Sequence, residues 1–156
     1  MNYAEALKKV HLFKDLPAAD LDKLAAVGTE YVLPSHTTLF SEGESGDEMF
    51  AILRGTAKIL KKNAKGEPEE VATLGTNSYF GEMAFIIDEH TRSATLETQE
   101  DCVVLGFKQD DLLKILAKDD RLAHRFYRAL AVGLARRLMA TTRDTAFYKA
   151  VALKHV

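Results

Sequence analysis

The sequence predicts an α+β fold, with a β-rich middle and helices at both ends. Three observations carry that expectation. Residues 2–27 and 108–155 hold apolar side chains at helical spacing. Residues 29–107 divide into short apolar runs of strand length. Six of the nine glycines fall between Gly43 and Gly81, where they separate those runs. Short strands with regular turn signals build a sandwich or a barrel-like roll.

At the N-terminal end, Leu16, Leu21, Leu24 and Val27 mark one helix face. Pro17 suits a first helical turn, where its missing N–H costs nothing, with Asp15 or Leu16 at the cap. Gly28 supplies the stop. The strand-like runs follow as YVL, TTLF, EMFAILR, TAKILKK, EVATL, SATLETQ and DCVVLGF. ESGDE and NAKGEPEE are polar turn segments, and residues 63–69 form a hairpin tip. The stretch 82–87 interrupts the strands as a short helix after Gly81. Asp110 or Asp111 then starts a helix through Leu112, Leu113, Ile115 and Leu116, and Asp119 or Asp120 caps the next. That last helix is long. It carries Tyr127, Ala131, Leu134, Leu138, Thr141 and Thr145 in steps of four and three. Such a seam either packs on the domain's own strands or receives a partner helix.

Composition excludes several classes. The chain has 156 residues and a formal net charge of −2, so it has one domain's length and no global attraction to nucleic acid or anionic lipid. The basic runs at 58–65 and 121–143 are interleaved with apolar residues, as on solvated faces. The single cysteine, Cys102, permits no disulfide within the chain and reads as a small buried hydrophobe. No run approaches the roughly 20 apolar residues that span a bilayer, and the N-terminus has no signal-peptide pattern. A soluble, cytoplasmic protein is expected. His11, His36, His90, His124 and His155 are scattered without metal-ligand spacing. The chain has no nucleotide-triphosphate loop and no nucleophile elbow. No enzyme, metal or cofactor is expected.

One stretch carries chemistry: FGEMAFIIDEHTRSAT, residues 80–95. Gly81 precedes a carboxylate, Glu82. The apolar run from Met83 to Ile87 follows, then Arg92 with three small residues, Ser93, Ala94 and Thr95. An arginine fork can bond two phosphate oxygens at once. A carboxylate accepts from a sugar hydroxyl. Glycine lets the backbone approach, and a helix start aims free N–H groups at an anion. A cyclic nucleotide monophosphate needs each of these. The plainer alternative is a structural Glu82–Arg92 ion pair, with Asp88 or Glu89 as other partners for the arginine.

The stretch resembles the phosphate-binding cassette of the cyclic nucleotide-binding domain family, which reads Phe-Gly-Glu, a short apolar helix, then Arg and small residues. Here these are Phe80-Gly81-Glu82 and Arg92-Ser93-Ala94. LFSEGESGDEMFAILRGTAKIL, residues 39–60, is similar to that family's earlier strands, with Gly43, Gly46-Asp47 and Gly55 at the turns. The resemblance covers most of residues 10–145.

It implies an antiparallel β-roll, a jelly-roll-like double-stranded β-helix. On it, 1–28 are N-terminal helices, 29–107 the roll with the cassette at 80–95, and 108–156 the C-terminal helices. It also implies that Glu82 accepts from the ribose hydroxyl and Arg92 binds the cyclic phosphate. Gly81 and Ser93 help hold ribose and phosphate, Met83 and Ala94 lie in the cassette, and Leu60 walls the base. ARRLMATT, residues 135–142, is similar to the long helix of the catabolite activator branch, where a threonine and a following hydroxyl residue read adenine, partly across a dimer. Thr141 and Thr142 fall there; alternatively they bond their own helix backbone. The chain stops at Val156, short of a helix-turn-helix domain, so DNA is not an expected partner. The implied function is a sensor of cyclic AMP, with cyclic GMP as second choice, acting on a protein effector through its terminal helices. A homodimer through the long helix is one arrangement. The alternative is an interaction or dimerisation module of the same fold without ligand.

Overall fold

The computed structural model describes residues 1–88 and 90–154, with side chains in the last helix described as far as Arg143. Two four-stranded antiparallel sheets form the roll. The strands are β1 (Thr29–Leu33), β2 (Thr38–Phe40), β3 (Glu48–Arg54), β4 (Ala57–Lys62), β5 (Pro68–Leu74), β6 (Tyr79–Phe80), β7 (Thr95–Thr98) and β8 (Cys102–Lys108). One sheet runs β1-β8-β3-β6 and the other β2-β7-β4-β5. The seven sequence runs each become a strand. The two-residue β6 has no run of its own; it exists because Phe50 and Ala51 of β3 pair with Phe80 and Tyr79. The expected tip at 63–69 is the β4–β5 turn, where the Asn63 side chain accepts from the backbone N–H of Lys65 and Glu67.

β3 and β8 are buried on both faces, which explains their unbroken apolar runs. Successive side chains of a strand point to opposite faces. Phe50, Ile52, Cys102 and Val104 therefore face the space between the sheets, with Phe80, Ala57 and Leu96. Met49, Ala51, Leu105 and Phe107 face the other way, into a layer of helices. That layer comprises α1 (Tyr3–Lys8), α2 (Ala18–Val27), α4 (Gln109–Lys118) and the first turns of α5 (Asp120–Lys154). Phe13 meets Phe107 edge-on and stacks on Phe126, joining the N-terminal segment, β8 and α5.

The helix boundaries differ from expectation in two places. Pro17 itself occupies the N-cap of α2, not Asp15 or Leu16. Lys108 is the N-cap of α4, and Asp110 and Asp111 lie in its first turn, where a negative charge suits the helix dipole. Asp119 does cap α5, accepting from the N–H of Leu122 at 3.1 Å.

α5 has 35 residues and is about 52 Å long. Leu122, Phe126 and Leu130 are buried; beyond them no described side chain of the helix is, although Gly133 still lies against Tyr79, and the helix leaves the body further on. Leu138 is 68% exposed, so the far end of the seam does not pack on the chain's own strands. Thr145 lies outside the described side chains.

Asp20 of α2, 2% exposed, ties α5 down by accepting twice from Arg125, at 2.6 and 3.0 Å. Removing Arg125 strands a buried carboxylate. Arg125→Ala is expected to lower the midpoint of urea unfolding. The double variant Asp20→Ala/Arg125→Ala is expected to be more stable than Arg125→Ala alone, and the reverse order would show that the pair does not tie α2 to α5.

Candidate ligand site

The cassette begins where β6 ends. Gly81 has φ +81°, a left-handed conformation that only glycine adopts without strain, and it starts α3 (Glu82–Ile86). A Cβ there would also stand 2.9 Å from the Glu48 carbonyl. After α3 the chain returns through residues 87–94 to β7. A cavity of about 350 Å³ lies against this return. Phe40, Ile59, Leu74 and Leu96 of the roll give it apolar walls.

Gly81, Glu82, Met83, Arg92, Ser93 and Ala94 all line the cavity. The structure thus brings together six of the nine residues singled out in the sequence. Leu60 is half-buried on β4 and does not line it. Thr141 and Thr142 are exposed on α5, and their hydroxyls donate to the carbonyls of Arg137 and Leu138.

Glu82 and Arg92 do not pair with each other. Arg92 is 7% exposed and donates through Nη2 to the Glu48 carbonyl at 2.9 Å. Its guanidinium lies 4.3 Å from the centre of the Phe40 ring. Its Nε is buried without a hydrogen-bond partner. No described carboxylate forms an ion pair with it, Asp88 included; Glu89 lies outside the described residues. Burial pulls the Arg92 guanidinium below its ordinary value, opposed by the more distant charges of Glu48, Asp47 and Glu44. It stays a cation all the same. Gly46 is a glycine because a Cβ there would sit 2.6 Å from Arg92 Nε.

Glu82 is 2% exposed, and its cation comes from far along the chain. Arg137 of α5 donates from Nη1 to Glu82 Oε1, and from Nη2 to the Tyr79 carbonyl at 3.2 Å. The same guanidinium lies over the Tyr79 ring, 4.8 Å from its centre. Burial raises the pKa of the Tyr79 phenol, as does Glu82, while Arg137 and Arg136 oppose the rise. Sequence reasoning missed Arg137 because 55 residues separate it from Glu82 and nothing local marks it. The only available signal was its place one turn before Thr141.

Among the described residues, no group of three His, Cys, Asp or Glu could hold a metal ion. Nor is any helix long and apolar enough to cross a membrane.

The family model for the cyclic nucleotide-binding domain matches residues 31–119, more than half of the chain. The chain belongs to this family. A cAMP-dependent protein kinase regulatory subunit of Yarrowia lipolytica is 33% identical over 114 residues, 73% of this chain and 29% of that protein. A cyclic AMP receptor protein of Thermus thermophilus is 28% identical over 132 residues, 85% of this chain and 59% of its own. The chain therefore spans less than two thirds of either relative. The crystal structure of a cyclic nucleotide-binding domain from Methylobacillus flagellatus superposes with a TM-score of 0.79 at 25% identity, covering 91% of this chain and 79% of that one. The β-roll with flanking helices is the fold of this family, as the resemblance implied.

The Glu82–Arg137 contact joins the cassette to the part of α5 that leaves the body. Arg137→Ala strands a buried carboxylate and is expected to cost about 2 kcal/mol of stability. Amide exchange in α5 beyond Leu130 should quicken in that variant, while β3 stays protected. Unchanged exchange in α5 would show that the contact does not hold the helix.

Proposed function

We propose that the chain is a cyclic nucleotide sensor that prefers cyclic AMP to cyclic GMP. The observation that carries this reading is Arg92: a cation buried beside a ligand-sized cavity, with no carboxylate partner among the described residues and one N–H donor unused. A buried unpaired charge is costly, and such groups are kept where a ligand completes them. The cyclic phosphate is the anion that Arg92 takes. Gly81 and Ser93 border the ribose and phosphate. Glu82 accepts from the ribose 2′-hydroxyl; its bond to Arg137 leaves other lone pairs free. Preference for the adenine base is supported by the two relatives, a cAMP-dependent protein kinase regulatory subunit and a cyclic AMP receptor protein.

The response is a shift of α5. Ligand contact at Glu82 changes the partner of Arg137 and so the hold on the helix. A shift needs different affinities for the two helix arrangements, and a tenfold difference supplies about 1.4 kcal/mol. The exposed seam of α5 is the surface offered to an effector or a second copy. Thr141 and Thr142 face solvent in this chain, so they read adenine only across such a partner helix or after α5 moves.

Calorimetry with cyclic AMP and cyclic GMP tests this. Arg92→Leu is expected to weaken binding about a hundredfold, or about 3 kcal/mol, and more than Glu82→Ala does. Lys62→Ala, on the surface of β4, should change nothing. Absence of binding up to about 1 mM of either nucleotide would leave the ligand-free interaction module. Thr141→Ala should weaken cyclic AMP alone; equal weakening of both nucleotides removes the adenine role.

A further inference from the structure

A second cavity, of about 530 Å³, shares Leu74, Tyr79 and Arg137 with the first. The segment at residues 11–16, the start of β6 and one face of α5 enclose it. Leu12, Leu16 and Tyr79 give it a buried apolar floor. Its rim is cationic. Lys14, Arg125, Arg128, Arg136 and Arg137 line it, against one carboxylate, Asp15. Arg125 and Arg137 are engaged by Asp20 and Glu82. Lys14, Arg128 and Arg136 form no ion pair with any described residue. Three unpaired cations thus gather on one concave surface of a chain whose net charge is −2. Arg128 and Arg136 stand two turns apart on α5, about 12 Å, and a long side chain from each can close on an anion between them.

We propose that this cleft binds a small molecule with a di- or polyphosphate on an apolar, planar body, the chemistry of a nucleoside diphosphate. Three cations call for more than one negative charge, and arginine forks suit phosphate oxygens. The volume lies within the range of small-molecule sites, and the Tyr79 ring with Leu16 and Val132 offers the body an apolar bed. Tyr79 and Arg137 also line the cassette cavity. A phosphate reaching Arg137 competes with Glu82 for the same guanidinium. The two cavities are therefore coupled, and each ligand changes the other's affinity by the same factor. Only this coupling rests on the cyclic nucleotide reading; the anion site does not.

Calorimetry of the full chain with ADP and with sodium pyrophosphate tests the cleft. ADP is expected to bind, more tightly than pyrophosphate and less tightly as salt rises. Arg128→Ala/Arg136→Ala removes two exposed side chains and leaves the core intact, which circular dichroism checks. It should weaken ADP at least about tenfold, or about 1.4 kcal/mol. Arg92→Leu should leave ADP binding in place. Saturation with cyclic AMP should shift the ADP affinity severalfold. No binding of ADP up to about 1 mM overturns the site. So does binding that Arg92→Leu removes and the double variant keeps, because ADP would then be entering the cassette. Equal affinity for ADP and pyrophosphate overturns the apolar body. An ADP affinity indifferent to bound cyclic AMP overturns the coupling alone. Failure of cyclic AMP to bind would count against the sensor reading, and the ADP titrations would still decide the cleft.

Discussion

Burying a guanidinium with no carboxylate partner among the described residues is the constraint around which the site is built. Arg92 keeps its charge in a place nearly closed to water, and the fold compensates only in part. It supplies one backbone carbonyl from β3 and the face of the Phe40 ring. Each is a weaker partner than an anion. Everything near Arg92 makes room for it: Gly46 has no Cβ to press on Nε, and Gly81 turns the chain left-handed beside Nη1. On the proposed function, an anion entering the cavity meets a cation already desolvated and held in place, so little reorganisation remains to oppose binding.

The roll makes that burial possible. β3 and β8 bear two cores, one between the sheets and one beneath the helices. A strand packed on both faces is stiff, and β3 supplies the Glu48 carbonyl that holds Arg92 and the Phe50 ring near it. The cassette itself is short and partly exposed. Its precision comes from the strands to which it returns.

The second acid and base of the site tell a different story. Glu82 is as buried as Arg92, yet its charge is answered by α5. The helix is fixed to the body through Leu130 by apolar packing and by Asp20–Arg125. Past that point, Arg137 is the described tie between helix and cassette. The Glu82–Arg137 contact thus links a carboxylate that lines the cavity to the stretch of helix beyond Leu130.

Much of this was written in local sequence. The seven apolar runs became strands because strand length, alternation and turn residues are local properties. Phe80-Gly81-Glu82 and Arg92-Ser93-Ala94 were legible because they resemble the family's pattern of glycine, acid, short helix and arginine in a fixed order, and the fold sets all six along one cavity. Charge, cysteine count and the absence of long apolar runs bounded the rest. What the sequence could not decide was who answers whom. It set Glu82 near Arg92, and a short spacing suggests a pair; the fold separated them and brought Arg137 across 55 residues instead. β6 exists only because β3 passes beside it. The cationic cleft assembles from the N-terminal segment and α5, which meet only after the roll has closed. Local order is set by backbone preferences over a few residues, whereas partnerships between charges depend on which surfaces burial brings together. That second decision belongs to tertiary structure.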